Sequence, residues 1–133
     1  MVNKLSFEET EIIRRRAEAF LRTAKYLLEN QEWDLSVFNL EQYCQLILKY
    51  KLLVKAGSYP RTHSLRGLIR ELAKTSPKLL SLIKDEDKLH YVARLEEAYL
   101  TSRYIPYAYE EKEAQSLFKF VMEVFKPLID EIQ

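Results

Sequence analysis

The stretch from Leu35 to Ala56 is an uninterrupted helical sequence that is apolar on almost every side. It contains neither glycine nor proline, and it is followed by Gly57, a residue type that readily ends a helix in the left-handed conformation. A surface helix has one apolar stripe, whereas a helix that is apolar nearly all round is packed on several sides. This stretch therefore predicts either a central helix in a bundle or a helix shared with a second subunit.

Further segments carry apolar residues at three- and four-residue spacing, which is the period of a helix with one buried face. With the stretch 35–56 as helix 2, they are helix 1 (residues 7–30), helix 3 (64–74), helix 4 (77–84) and helix 5 (86–102), and a last helix, helix 6, begins at about residue 110. The chain has only two glycines and four prolines, which is too few for a turn-rich β protein. We therefore expect a single all-α domain over residues 1–133, an up-and-down bundle of five to six helices, four of them long.

Several residues predict where these helices begin and end. Ser6 and Glu9 have the spacing of a capping box at the start of helix 1. Asp34 has the residue type of an N-cap for helix 2. Pro127 is expected to kink the last helix or to end its first segment, because a proline inside a helix removes a backbone hydrogen bond.

Charge and composition exclude several classes of protein. The formal net charge of +1 argues against a protein that coats nucleic acid electrostatically. The single cysteine, Cys44, excludes an intrachain disulfide and a cysteine-based zinc site, and it is typical of a reducing, cytoplasmic setting. The apolar runs are too short for a signal peptide or a membrane span, so we expect a soluble protein with no membrane partner. With no glycine-rich phosphate loop and with His63 and His90 far apart, we expect neither a cofactor nor a metal.

The segment from Arg103 to Tyr109 concentrates unusual chemistry between two predicted long helices. It holds one arginine, three tyrosines (Tyr104, Tyr107 and Tyr109) and Pro106. Connections between helices usually favour Gly, Asn, Asp and Ser, whereas aromatic rings and a guanidinium can stack on a planar ligand and neutralise a phosphate. The segment is therefore either a ligand site or the aromatic packing of the bundle end, and aromatic clusters more often serve packing.

The periodicity of helix 5 bears on the direction of Arg103. An inner stripe that includes Leu89, Val92, Tyr99 and Leu100 continues to Arg103, which predicts an inward-pointing guanidinium. A partly buried guanidinium needs an anion or several acceptors. Glu96, two turns earlier, is the internal partner that a purely structural arginine would have.

Polar residues also interrupt the apolar surface of helix 2. Gln42, Gln45 and Lys49 lie in one row, because three- and four-residue steps return to the same helix face. Such groups bond across a dimer interface, line a site or face water, and the residues alone leave these three roles equally open. His63, at the start of helix 3, is a further candidate, although a histidine there more often serves packing or capping.

Two short motifs in the first half of the chain match a known pattern. Gln42, Leu48 and Lys49 occupy three positions of the sequence Gln-Ala-x-Glu-x-x-Leu-Lys, in which Tyr43 and Gln45 here replace the small residue and the glutamate. Helix 3 then begins with the run His-Ser-Leu at residues 63–65.

A third motif follows near the end of helix 5. The run Ser102-Arg103-Tyr104-Ile105-Pro106 is similar to an Ala-Arg-Tyr-Pro signature with one residue inserted before the proline. In this order, and over nearly the whole chain, the motifs resemble the HEPN domain (higher eukaryotes and prokaryotes nucleotide-binding domain), in its prokaryotic stand-alone type.

The resemblance implies a bundle that dimerises and carries a site between helices or at the dimer cleft. HEPN proteins are often encoded beside, or fused to, a minimal nucleotidyltransferase in toxin-antitoxin-like pairs, and nucleotide binding has been proposed for them. The resemblance therefore implies a homodimer, a nucleotidyltransferase partner and a nucleotide or RNA ligand. The ligand-binding residues that follow from it and from the residue pattern are Arg103, Tyr104, Tyr107, Tyr109, His63, Gln42, Gln45 and Lys49.

One departure from the family pattern favours ligand binding over RNA cleavage as the function. Many HEPN proteins are RNA-cleaving toxins whose catalytic motif is an arginine followed, after four to six residues, by a histidine. The corresponding positions after Arg103 are Ala108, Tyr109 and Glu110, so the histidine is missing. A tyrosine, with an ordinary pKa of about 10, is a poor general base at neutral pH.

Three hypotheses remain. The leading one is a nucleotide- or nucleic-acid-binding HEPN module that acts with a nucleotidyltransferase and has no catalytic residue of its own. The second is an RNase with a rearranged site that recruits His63. The third is a structural dimer in which the arginine and the tyrosines only pack the bundle end.

Overall fold

Seven α-helices form in the part of the chain that the computed structural model describes, namely residues 6–104 and 108–132, with the side chains of 102–104 excepted. The helices are α1 (Phe7–Glu29), α2 (Trp33–Ala56), α3 (Leu65–Ala73), α4 (Ser81–Lys84), α5 (Glu86–Tyr104), α6 (Glu111–Phe120) and α7 (Lys126–Asp130). A 3-10 turn (Pro77–Leu80) precedes α4, and a π-helical turn (Val121–Phe125) joins α6 to α7. These described ranges contain no strand, so the predicted all-α bundle is confirmed.

The central helix of the bundle is α2, which packs against α1, α3, α5 and α6. Its buried residues point in all directions around its axis: Ser36, Val37, Leu40, Glu41, Tyr43, Cys44, Gln45, Ile47, Leu48, Leu52 and Leu53. Contacts within one chain therefore account for the all-round apolar pattern of this helix. The pattern does not require a second subunit to cover it.

The first two helices form a hairpin whose close packing depends on small residues. Ala17 and Ala24 of α1 are fully buried, and short side chains let two helix backbones approach closely. At this contact Ser36 Oγ donates a hydrogen bond to the Ala24 carbonyl oxygen over 2.7 Å. The turn between the helices passes through Gln31 with a φ of 63°, in the left-handed region.

The buried face of α5 differs from the predicted one. Val92, Leu95 and Ala98 are buried at three-residue steps, whereas Leu100 is 53% exposed. The predicted stripe combined residues from two faces, and Leu100 was wrongly assigned to the core. The helix also extends to Tyr104, two residues beyond the predicted end, because a proline disfavours helical geometry only from the residue that precedes it.

The predicted signals at the helix ends have different outcomes. The capping box is confirmed, since Ser6 Oγ accepts from the Glu9 N–H over 3.2 Å and Glu9 Oε1 accepts from the Ser6 N–H over 3.1 Å. Asp34 is not an N-cap: α2 begins before it, and its carboxylate accepts a 2.7 Å hydrogen bond from the Tyr109 N–H instead. The last helix is divided as expected, by the π-helical turn that immediately precedes the helix containing Pro127.

Crossing a bilayer needs a longer and more apolar helix than any found in the described ranges.

The two glycines provide a matched test of the backbone. Gly57 ends α2 with a φ of 78° and has nothing within 4 Å of the position of an added Cβ, so an alanine there suffers only from its conformation. We expect Gly57→Ala to lower the free energy of unfolding by about 1 kcal/mol. Gly67 lies in the first turn of α3, where an added Cβ meets Ser64 at an ordinary contact distance of 3.4 Å. Because alanine favours a helix more than glycine does, Gly67→Ala should raise the free energy of unfolding by about 0.5 kcal/mol.

Urea denaturation of the parent and of both variants measures these changes. A Gly57→Ala variant as stable as the parent would contradict the left-handed end of α2.

Candidate functional site

Three of the predicted ligand-binding residues meet at one place in the bundle. Gln45 of α2 is 4% exposed, and its side-chain oxygen Oε1 lies 3.3 Å from His63 Nδ1 and 3.5 Å from Lys49 Nζ. Gln42, one turn earlier on α2, joins the same group through Glu41. We call Glu41, Gln42, Gln45, Lys49, His63 and Tyr99 the His63 cluster.

His63 precedes α3 and is exposed, but its ring has a defined position. It stacks on the ring of Tyr99 from α5, with centroids 4.5 Å apart and an interplanar angle of 18°. The segment is held by its neighbours, because Thr62 Oγ1 accepts from the Ser64 N–H over 3.0 Å and Ser64 caps α3. The imidazole is therefore positioned by α2, by α5 and by the segment that caps α3.

A carboxylate that the sequence analysis missed lies beneath this histidine. Glu41 is fully buried; its Oε1 accepts a 2.7 Å hydrogen bond from Gln42 Nε2, and its Oε2 accepts one from Gln45 Nε2. Burial raises the pKa of Glu41 to about 7, although both amide hydrogen bonds and the charge of Lys49 act in the opposite direction. A glutamate four residues before Gln45 on a central helix was the available sequence signal.

Lys49 adds positive charge to the edge of the cluster. Its side chain is half-buried, and burial lowers its pKa, an effect that the nearby Glu41 carboxylate opposes. The ammonium nitrogen lies 5.2 Å from the centre of the Tyr59 ring, which is within the range of a cation–π contact. Lys49 is therefore held between an aromatic ring and the amide of Gln45.

Glu96, predicted as an internal partner for Arg103, interacts with α3. Its Oε2 accepts from Arg66 Nη2 over 2.8 Å, and its Oε1 accepts from Ser64 Oγ over 3.2 Å. Burial tends to raise the pKa of this carboxyl, but the hydrogen bonds from Arg66 outweigh it, so the pKa lies below its ordinary value. The Arg103 side chain lies outside the described residues, so the Glu96–Arg103 pair stays a prediction.

The backbone of Arg103 is part of α5, one helical turn beyond Tyr99. The Tyr104 side chain and the whole of Tyr107 lie outside the described residues, so their predicted stacking on a ligand also stays a prediction. Tyr109 is described, and it is 3% exposed. Its hydroxyl lies 3.0 Å from Thr101 Oγ1 and its ring is 5.7 Å from the Arg94 guanidinium, so in this structure it packs the bundle end.

A groove on the described surface lies away from the His63 cluster. It has a volume of about 610 Å³ between α5 and α6, and it shares no residue with the His63 cluster. Two of its lining residues are engaged in other contacts: Arg94 pairs with Glu97 and Glu113, and Tyr91 stacks on Phe120 at 4.9 Å. Across the described residues, no three His, Cys, Asp or Glu side chains converge as a metal site would require.

The His63 cluster can both bind and exchange protons. The Lys49 ammonium can contact an anion, the exposed imidazole can exchange a hydrogen bond with a ligand, and the outer surface of the stacked pair offers a ring to a planar group. An imidazole is also the side chain best suited to proton transfer near neutral pH. Glu41 and Gln45 are buried beneath the histidine, so they hold it in place without being exposed to a ligand.

The burial of Glu41 predicts a specific dependence of stability on pH. The carboxyl ionises near pH 4.5 in the unfolded chain and near pH 7 in the folded protein, so the folded state binds more protons between these values. The contribution of Glu41 to the free energy of unfolding is therefore greatest below about pH 4.5 and is lost as the pH rises through 7. The free energy of unfolding falls by about 3 kcal/mol over this range because of this group. We expect Glu41→Gln to remove most of this dependence in urea denaturation at pH 5, 6, 7 and 8.

Glu29→Gln, which replaces an exposed glutamate of α1, is the control and should leave the slope unchanged. A slope that is equal in the parent and in Glu41→Gln would show that Glu41 is ionised throughout.

Comparison with families of known proteins gives one match. The model of the HEPN domain matches residues 10–132, which is nearly the whole chain and includes all six residues of the His63 cluster. Comparisons with curated proteins and with solved structures return no match. The match extends from α1 to the end of the bundle, as the order of the sequence motifs implied. The chain belongs to the HEPN domain family.

Proposed function

We propose that this HEPN domain binds a nucleotide or a single-stranded RNA at the His63 cluster and the neighbouring end of α5. The observation that supports this most is the convergence of Lys49 from α2, Tyr99 from α5 and His63 from the segment before α3. None of these three is needed to fill the core, because the fully buried side chains of α2, α3 and α5 already do so. An ammonium binds phosphate, an aromatic ring stacks on bases, and a positioned imidazole exchanges a hydrogen bond with a ligand.

Arg103 completes this proposed site. It follows Tyr99 by one helical turn, a rise of about 6 Å along α5, so its backbone is close to the stacked pair. In the proposal its guanidinium and Lys49 meet the phosphates, and Tyr104 or Tyr107 stacks on a base. Tyr109 is buried with its hydroxyl 3.0 Å from Thr101 Oγ1, so it is not one of the rings that the proposal places on a base.

The proposal also includes two partners, on the basis of the family. A second copy of the chain forms a homodimer, and a minimal nucleotidyltransferase acts with the domain in a toxin-antitoxin-like pair. What supports an external source of chemistry is the missing histidine after Arg103, since a module without its own catalytic group depends on a partner for catalysis.

Calorimetric titration with ATP, GTP and a short single-stranded RNA tests the binding site. We expect the parent to bind at least one of them, and Arg103→Ala to weaken that binding at least tenfold, which corresponds to about 1.4 kcal/mol. The loss of a charge-assisted contact to phosphate is the physical reason.

Arg22→Ala is the matched control, because Arg22 is an exposed arginine on α1, a helix that contributes nothing to the His63 cluster. Equal affinities of the Arg103→Ala and Arg22→Ala variants would remove Arg103 from the site. Binding of none of the three ligands by the parent would favour the third hypothesis, a structural dimer whose arginine and tyrosines pack the bundle end.

A second candidate function is RNA cleavage with His63 in place of the missing histidine. What favours it is the stacking of His63 on Tyr99, which brings an exposed imidazole next to the helix that carries Arg103. In such a reaction the imidazole takes the proton of a ribose 2′-hydroxyl and the 2′-oxygen bonds to the adjacent phosphorus. The bond to the 5′-oxygen breaks, which leaves a 2′,3′-cyclic phosphate, and the 5′-oxygen takes a proton from water to become a hydroxyl. Arg103 would stabilise the charge that develops on the phosphate.

A cleavage assay separates this candidate from simple binding. A fluorescent single-stranded RNA is incubated with the protein in excess EDTA, and cleavage in the parent should fall at least about 100-fold in His63→Ala if the imidazole is the base. His90→Ala, which replaces the other histidine, should retain the parent activity. An RNA left intact by the parent, or cut equally by His63→Ala, would exclude this role for His63.

A further inference from the structure

The chain of hydrogen bonds beneath His63 determines which of its two ring nitrogens carries the proton. The chain runs from the buried Glu41 carboxylate through the side-chain amide of Gln45 to His63 Nδ1. Its members come from α2 and from the segment before α3, and none of them is needed for the hydrophobic core. A buried polar network of this kind restricts the orientation of each group that it contains.

Two neighbours fix the orientation of the Gln45 amide. At one end, Glu41 is only an acceptor once it is ionised, above its pKa of about 7, and it then requires the NH2 group of Gln45. At the other end, the Lys49 ammonium is a donor and lies 3.5 Å from the amide oxygen. The reverse orientation would place two oxygens together at Glu41 and two sets of N–H donors together at Lys49. Gln45 Oε1 therefore faces His63.

The orientation of the amide in turn defines the histidine. An amide oxygen can only accept, so the 3.3 Å contact with His63 Nδ1 requires that Nδ1 carries the proton. In a neutral imidazole the other nitrogen, Nε2, is then an acceptor. Nε2 has no hydrogen-bond partner among the residues that the structure describes, and the ring is exposed.

We propose that Gln45 and Glu41 are positioning residues that hold the neutral His63 ring with Nδ1 protonated, which leaves Nε2 as an acceptor for a hydrogen-bond donor of the ligand. This inference deepens the proposed function and rests on it only for the statement that Nε2 accepts from a ligand. The protonation of the ring can be measured without any ligand. The group that Nε2 accepts from is a hydroxyl, an amide or an amino group, and not an unprotonated phosphate oxygen.

Nitrogen-15 NMR of the imidazole rings is the direct test. The chain has only two histidines, and His90→Gln assigns their signals. At roughly pH 9, where imidazoles are neutral, the shifts of the two ring nitrogens identify the one that carries the proton. We expect His63 to be protonated at Nδ1 in the parent protein, and a ring protonated mainly at Nε2 would overturn the proposal.

A pair of neighbouring substitutions tests the role of Gln45. Gln45→Leu removes the acceptor and should shift the proton of His63 toward Nε2. Gln42→Leu is the matched control, because Gln42 donates to the same Glu41 carboxylate but does not contact His63, so the His63 signals should stay as in the parent. Unchanged His63 signals in a folded Gln45→Leu variant, with His90 as the internal reference, would overturn the proposal.

The nucleotide titrations test the proposed function, and the NMR measurement tests this inference, so the two can fail independently. If the parent binds none of the nucleotides but His63 is protonated at Nδ1, the proposed function is rejected and this inference stands. If the parent binds a nucleotide but His63 is protonated at Nε2, the inference is rejected and the proposed function stands. If Gln45→Leu does not fold, the measurement on the parent still decides.

Discussion

The burial of polar side chains on a central helix is the constraint on which the candidate site depends. Because α2 is covered by four other helices, Glu41 is fully buried and Gln45 nearly so, and both need hydrogen-bond partners within the protein. They find them in each other, in Gln42, in Lys49 and in His63. The position of the exposed His63 ring therefore depends on the hydrogen bonds that the buried Glu41 carboxylate makes through Gln45.

This arrangement divides the cluster into two layers with different roles. The inner layer, Glu41 and Gln45, contributes nothing to hydrophobic stabilisation, and the ionisation of Glu41 opposes folding at neutral pH. The outer layer, His63, Lys49 and Tyr99, is at least partly accessible. Side chains that reduce stability and yet fix the geometry of exposed groups are characteristic of functional sites. In the described part of the chain, the other buried polar side chains are Thr10 and Ser36, and neither lines the groove between α5 and α6. This difference separates the cluster from that groove.

The fold followed from local sequence signals, because each helix is encoded by its own periodicity, caps and breaks. The capping box at Ser6, the end of α2 at Gly57 and the division of the last helix were all predictable in this way. Leu100 was misplaced because the spacing of apolar residues on α5 allows two faces, and only the packing of α5 on α2 selects one. Asp34 was misplaced because its partner, the Tyr109 N–H, is 75 residues away in the chain.

The site was predictable in part. The row Gln42, Gln45 and Lys49 and the single residue His63 were found from their types and spacing, but nothing in the sequence joined them. That connection needs the register of α3 and α5 on α2, which is set by long-range packing. Glu41 was overlooked because a glutamate on a helix is usually solvated, and its burial becomes visible only when α2 is known to lie at the centre of the bundle.

The π-helical turn Val121–Phe125 compensates for a difference between the spacing of the buried residues and the period of an α-helix. The buried residues Leu117, Val121, Phe125 and Ile129 follow one another at steps of four. In a regular α-helix each such step overshoots a full turn by about 40°, so a row of this kind rotates away from a straight neighbour. A wider turn uses more residues per revolution and reduces the overshoot. The turn therefore offsets this rotation, and within it Phe125 meets Tyr43 of α2 in an edge-to-face ring contact with centroids 6.2 Å apart.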